Sequence, residues 1–70
     1  MSTKPVQLAI QHKGRRYGGI YSVSGNLMIA RIPGIDSRSR SVDGADVEQL
    51  ARALLQEILE SAERSGRLAG

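Results

Sequence analysis

The basic residues of this chain are concentrated in its first half, and their chemistry suits contacts with phosphate. Residues 1–42 carry seven Lys and Arg against one acid, a charge of +6, whereas residues 43–70 carry three against six, a charge of −3. Lys and Arg bind the phosphates of nucleic acids whatever the base sequence. A basic half beside an acidic helix is typical of a polyanion binder. The sequence therefore predicts a nucleic-acid-binding surface that consists of Lys13, Arg15, Arg16, Arg31, Arg38 and Arg40.

Residue sets for catalysis or metal binding are missing from the sequence. The chain has no cysteine and one histidine, His12, so it offers neither a thiol nucleophile nor the four ligands of a structural zinc site. It also lacks a Gly-x-Ser-x-Gly elbow and a Gly-x4-Gly-Lys-Ser/Thr phosphate loop. His12 borders a predicted turn without an evident acid or serine partner, and we expect it at the surface. These absences predict a protein that is not an enzyme and uses no cofactor, metal or small-molecule substrate.

The chain of 70 residues is predicted to form one small α+β domain over residues 1–70. A chain of this size buries only about 60% of its unfolded surface, so its core is marginal without disulfides, a metal or a partner subunit. Because cysteine and zinc ligands are missing, we expect a homodimer. No apolar run approaches the roughly 20 residues of a membrane span, and no apolar signal core follows Met1. Together with the absence of cysteine, this pattern predicts a cytoplasmic protein without a membrane partner.

Three antiparallel strands are predicted at about residues 5–12, 16–24 and 27–32. Apolar residues alternate with polar or small ones in the first strand, the period of a half-buried strand. Lys13-Gly14 and Gly25-Asn26 are two-residue hairpin signals. Directly opposed residues share a sheet face, so both turns together fix one apolar face. Its members are Val6, Leu8, Ile10, Tyr17, Gly19, Tyr21, Val23, Met28, Ala30 and Ile32.

A long C-terminal helix over about residues 44–65 is expected to pack across that apolar face. Asp43 is predicted to cap its start, and Gly66 lies where a glycine stop is typical. The apolar residues of the helix sweep about 180°, wider than the roughly 100° stripe that one sheet needs. Leu55 and Leu59 are therefore expected near the rim of the core, where a second subunit would cover them. The predicted architecture is β-β-β-α.

Residues 35–43, which contain Ser37-Arg38-Ser39-Arg40-Ser41, are predicted as a basic Ser/Arg loop between the third strand and the helix. Antiparallel geometry brings this loop near the Lys13-Gly14 turn, so that the basic residues cluster at one end of the sheet. Alternating Ser and Arg leaves three alternatives: a plain mobile loop, an arm that orders on nucleic acid, or a phosphorylation target.

The sheet face opposite the helix combines polar and aliphatic side chains. Gln7, Gln11, Arg16 and Arg31 are residue types that pair with base edges, which favours a DNA-binding regulatory protein. RNA is less favoured, because the two tyrosines that could stack on bases lie under the helix. Three aliphatic residues on the same face predict instead a protein-interaction module that docks a partner. These residues are Ile20, Leu27 and Ile29.

The predicted strand order, with Tyr17-Gly18-Gly19 in the second strand and residues 43–48 before the helix, resembles several small modules. Plant ethylene-response domains and arm-type integrase domains share this order and read DNA with the sheet. The order also resembles the shortened RNase-H-like domain of HicB-type antitoxins. A double-stranded-RNA-binding domain without its first helix is similar too, but its Lys-Lys pair at the helix start is missing here. The resemblance concerns topology and does not choose between DNA binding and partner docking.

Overall fold

The computed structural model describes residues 4–44 and 46–66, which form a four-stranded sheet and one helix. The strands are β1 (Val6–His12), β2 (Arg15–Ser24), β3 (Leu27–Ile32) and β4 (Asp36–Ser41), and the helix is α1 (Val47–Arg64). Each strand pairs antiparallel with the next, in the order β1-β2-β3-β4. The predicted α+β class with a C-terminal helix is confirmed. The predicted number of strands is wrong, because a fourth strand is present.

The first two hairpins have the turns and registers that the sequence predicts. Lys13 and Gly14 have φ values of 51° and 79°, as a type I′ turn requires, and Gly25 has a φ of 61°, as at the first central position of a type II′ turn. Ile10 is paired with Tyr17, and Val23 with Met28. These pairings place the apolar residues of three strands on the face that α1 covers.

Strand β4 occupies most of the segment that was predicted as a Ser/Arg loop. Pro33 and Gly34 form a tight turn in which the Ile35 N–H donates to the Ile32 carbonyl at 2.9 Å, with Gly34 at a φ of 83°. The chain therefore reverses and pairs with β3. The alternation of Ser and Arg is a strand period of two, in which serines lie on one face and Arg38 and Arg40 on the other.

Helix α1 begins at Val47, later than the predicted start at about residue 44. Asp43 does not cap the helix: it has a φ of 47° and exchanges hydrogen bonds of 3.0 and 3.1 Å with the Asn26 side chain. Asp46 is the N-cap, and its carboxylate accepts from the Gln49 N–H at 3.1 Å. Gly66 follows the helix with a φ of 73°, which confirms the predicted glycine stop.

The core lies between α1 and the sheet, and its largest fully buried side chains are Met28, Leu54, Leu55, Ile58 and Leu59. The sequence predicts Leu55 and Leu59 near the rim of the core, open to a partner. This prediction is wrong, because both side chains are fully buried. The wide apolar face of the helix is covered within the chain, because β4 broadens the sheet beneath it. Among residues 4–44 and 46–66, no helix has both the length and the apolar character that crossing a membrane requires.

Candidate nucleic-acid interface

The two sides of the sheet differ in whether they carry acids. All seven acids of the chain lie on α1, in the turn before it, or at Asp36, whose β3 partner Ile32 is buried on the helix side. The face that points away from α1, here called the outer face, carries no acid. It is formed by Gln7, Ala9, Gln11, Arg16, Gly18, Ile20, Ser22, Ser24, Leu27, Ile29, Arg31, Ser37, Ser39 and Ser41.

Arg16 and Arg31 are the two charged groups of the outer face. Both are exposed, and neither forms an ion pair with the residues that the structure describes. Arg16 lies opposite Gln11, and Arg31 lies opposite Ile20, four residues farther along β2. Strand geometry separates the two Cα atoms by about 14 Å. Measured along the axis of a duplex, this distance corresponds to about four base-pair steps.

Three of the six predicted basic residues contact α1 instead of standing free. Lys13 Nζ lies 2.8 Å from Glu63 Oε2. Arg40 Nη2 and Arg38 Nη1 lie 2.9 and 3.2 Å from the same Glu57 oxygen. Because two guanidinium groups share one carboxylate, the cluster of Arg38, Arg40 and Glu57 keeps one net positive charge on the helix side of β4. The expectation that Arg38 and Arg40 stand on a loop is therefore corrected: they fasten a strand to the helix.

Arg15 is the remaining predicted basic residue, and it stands exposed at the start of β2, opposite His12. It forms no ion pair within the described part of the chain. Arg15 and Arg16 therefore project from opposite faces of the same hairpin end. Their cationic groups flank the Lys13-Gly14 turn, where Lys13 is neutralised by Glu63.

His12 is buried, which corrects the expectation that it lies at the surface. Its Nδ1 is 2.9 Å from Gln56 Nε2, and its Nε2 is 3.6 Å from Glu63 Oε1 without a hydrogen-bond partner. The hydrogen bond from Lys13 holds the pKa of Glu63 below its ordinary value, with a smaller contribution from the nearby His12. The sequence did contain the signal, since His12 continues the alternation of Val6, Leu8 and Ile10 on the helix side.

The aliphatic residues of the outer face are partly open to solvent. Leu27 and Ile29 each expose 44% of their surface, and Ile20 is half-buried. Ile20 separates two shallow grooves. One, of about 360 Å³, extends over Ala9, Gly18 and Pro33 towards β1, and the other, of about 250 Å³, extends towards Ile29 and Arg31. The outer face can therefore supply apolar contacts between its cationic and amide groups.

Comparison with known proteins finds no matching protein family, no matching curated protein and no matching solved structure. The distinguishing feature of the chain is an acid-free sheet face on which two arginines have no ion pair within the described residues.

Proposed function

We propose that this protein is a small, non-enzymatic nucleic-acid-binding protein that contacts the phosphate backbone, in the first place that of DNA, through the outer face of its sheet. The observation that carries the proposal is the distribution of charge across the sheet. Every acid lies on the helix side or in the turn before α1, and on the other side Arg16 and Arg31 form no ion pair with the residues that the structure describes. A polyanion that approaches the outer face meets no carboxylate.

The basic and amide side chains of the sheet have different roles in this proposal. Arg16 and Arg31 neutralise phosphates, and Arg15 adds a third cationic group at the hairpin end. Gln7 and Gln11, one strand away, can donate to and accept from base edges or sugars. Arg38, Arg40 and Lys13 have a secondary part, since their charges are engaged by Glu57 and Glu63. Phosphate contacts dominate, so little sequence specificity is expected.

DNA is favoured over single-stranded RNA because stacking residues are not available on the outer face. The two tyrosines, Tyr17 and Tyr21, are half-buried and pack against the core beneath α1. Recognition of unstacked bases usually depends on exposed aromatic rings. The proposal includes a regulatory role and a location in the cytoplasm. The absence of cysteine favours this location.

A second candidate function is protein interaction, and the exposure of Leu27 and Ile29 favours it. An aliphatic patch on a sheet face is typical of a docking surface. In this reading the outer face binds a protein partner, as an antitoxin binds its toxin, and the arginines lie at the rim of the contact. Arginine is common in such interfaces, so its presence is compatible with both functions.

Salt dependence separates the two functions. A labelled duplex, a single-stranded DNA and an RNA hairpin are titrated with the full chain. Binding is followed by fluorescence anisotropy at about 50 mM and about 200 mM salt. Phosphate binding predicts that the affinity for the duplex falls steeply between these concentrations, because released counterions oppose binding. Absence of binding to all three probes at the lower salt concentration would overturn the proposal and leave the protein-docking function.

A further inference from the structure

Strand β1 is an edge strand without charged residues. Among residues 4–44 and 46–66 it pairs only with β2, and Val6–His12 contains no Lys, Arg, Asp or Glu. Free edges can pair with another chain, and proteins usually protect them with charges or proline. The opposite edge, β4, has this protection in Asp36, Arg38 and Arg40. The two edges therefore differ, and β1 is the one open to pairing.

The free hydrogen-bonding groups of β1 belong to three residues. The two-residue type I′ turn closes on the pair His12 and Arg15, so that pair is hydrogen-bonded. Alternation along an antiparallel ladder then directs the backbone groups of Gln7, Ala9 and Gln11 away from β2, along the free edge. These are also the three β1 residues whose side chains lie on the outer face.

The ends of β1 limit how another strand can pair with this edge. Pro5, two residues before Gln7, has no N–H to donate. Lys13, two residues after Gln11, lies in the turn with a φ of 51° and cannot continue the strand. A partner strand therefore finds seven usable residues with Ala9 at their centre.

We propose that a second copy of this chain pairs with β1 through its own β1, antiparallel and centred on Ala9, to form a continuous eight-stranded sheet. This register is the one that pairs all seven residues of both strands: Ala9 lies opposite the partner's Ala9, and Gln7 opposite the partner's Gln11. It provides about six main-chain hydrogen bonds. It also brings Val6, 42% exposed in the single chain, against the partner's strand. A shift by two residues leaves the ends of both strands unpaired.

The helices do not obstruct this pairing. A two-fold axis through the Ala9 pair, perpendicular to the sheet, places both α1 helices on the same side. Four strands at about 4.8 Å each separate the two helix axes by about 19 Å. A helix with its side chains is only about 10–12 Å across. The pairing therefore leaves a groove between the helices, over Val6 and Leu8 of both chains.

The outer face becomes one continuous surface in the dimer, and this consequence rests on the proposed function. Known pairings extend the register outwards on either side of the axis. Each row of directly opposed residues across the dimer then consists of Arg16, Gln11, the partner's Gln7, the partner's Ile20 and the partner's Arg31. Two such rows, related by the two-fold axis, place arginines from both chains along one polyanion.

The test is the mass of the full chain by sedimentation velocity over a concentration series, for wild type, Ala9→Lys and Ser39→Lys. Wild type and Ser39→Lys are expected at twice the 7.6 kDa chain mass, because Ser39 lies on the β4 edge. Ala9→Lys is expected at 7.6 kDa, because the two-fold axis brings two lysines together. A monomeric wild type, or an Ala9→Lys dimer, would overturn the proposal.

Amide hydrogen exchange of wild type gives a second readout that needs no variant. The β1 dimer predicts protected N–H groups at Gln7, Ala9 and Gln11, whereas a free edge leaves these three to exchange rapidly. Rapid exchange at all three would contradict the pairing. Nucleic-acid affinity is measured separately, since a dimer that binds no nucleic acid refutes only the proposed function. Conversely, a monomer that binds duplex DNA refutes only the pairing.

Discussion

Gly19 lies directly against Leu55: a Cβ placed on Gly19 would come within 2.6 Å of the Leu55 Cδ1 atom. Leu55 is fully buried, and Gly19 is the residue of β2 that faces it. The close approach of α1 to the middle of the sheet therefore depends on a missing side chain. No other described glycine has a heavy atom within 4 Å of such a Cβ.

We expect Gly19→Ala to lower the free energy of unfolding by about 1–3 kcal/mol, because the added methyl group forces Leu55 or the helix to move. Gly18→Ala is the matched control. Gly18 is the neighbouring residue on the outer face, where a Cβ meets nothing within 4 Å. Its replacement should change stability by less than about 1 kcal/mol. Urea unfolding of both variants measures the difference, and equal stabilities would contradict the packing described here.

The first two hairpins could be predicted from the sequence because their signals are local. Lys13-Gly14 and Gly25-Asn26 fix two registers, and both registers agree on one apolar face, so a slip in either would have broken the agreement. Strand β4 could not be predicted in the same way. Its helix-facing residues include Arg38 and Arg40, which are tolerated there because Glu57, a residue distant in sequence, forms an ion pair with each of them. Hydrophobic periodicity has no signal for such a strand.

The candidate site could be predicted only in part for the same reason. The sequence shows which residues are basic, but ion pairing with α1 decides which of them are free. Glu57 faces β4 and Glu63 faces the β1-β2 turn, an arrangement that depends on the rotation of the helix over the sheet. Arg16 and Arg31 lie on the other face and are unaffected by this rotation.

Replacing Arg38 and Arg40 together by Ser should have a small effect on both stability and binding. These ion pairs are partly exposed, and such pairs contribute no more than about 1 kcal/mol each. Their loss leaves Glu57 without its partners but leaves the outer face unchanged. Urea unfolding and anisotropy measure the two effects. A loss of duplex affinity as large as that caused by replacing Arg16 and Arg31 would contradict the orientation of β4.

Acid should destabilise the protein partly through Glu63. Because the pKa of Glu63 is lower in the folded chain than the ordinary value of 4.5, its contribution to stability is present above that value. It is lost as the pH falls through the lower, folded pKa. Glu63→Gln should therefore flatten the dependence of the unfolding free energy on pH below about 4.5.

Glu60→Gln is the control for this measurement, since it removes the same charge from an exposed position of α1 that has no ion pair within residues 4–44 and 46–66. Urea unfolding between pH 3 and 6, about the range in which carboxylates titrate, gives the profiles. If Glu60→Gln flattened the profile as much as Glu63→Gln, the contact between Lys13 and Glu63 would have no special role in acid stability.

The proposal that the outer face binds nucleic acid is tested most directly by comparing two double variants of equal charge. Arg16→Gln with Arg31→Gln removes both cations of the outer face, whereas Arg52→Gln with Arg64→Gln removes two exposed cations from α1. Duplex binding is followed by fluorescence anisotropy across a salt series. We predict that the first variant loses affinity roughly tenfold or more and that its salt slope falls by about two, while the second stays near wild type. Equal losses in both variants would contradict the claim, since affinity would then follow net charge and not this face.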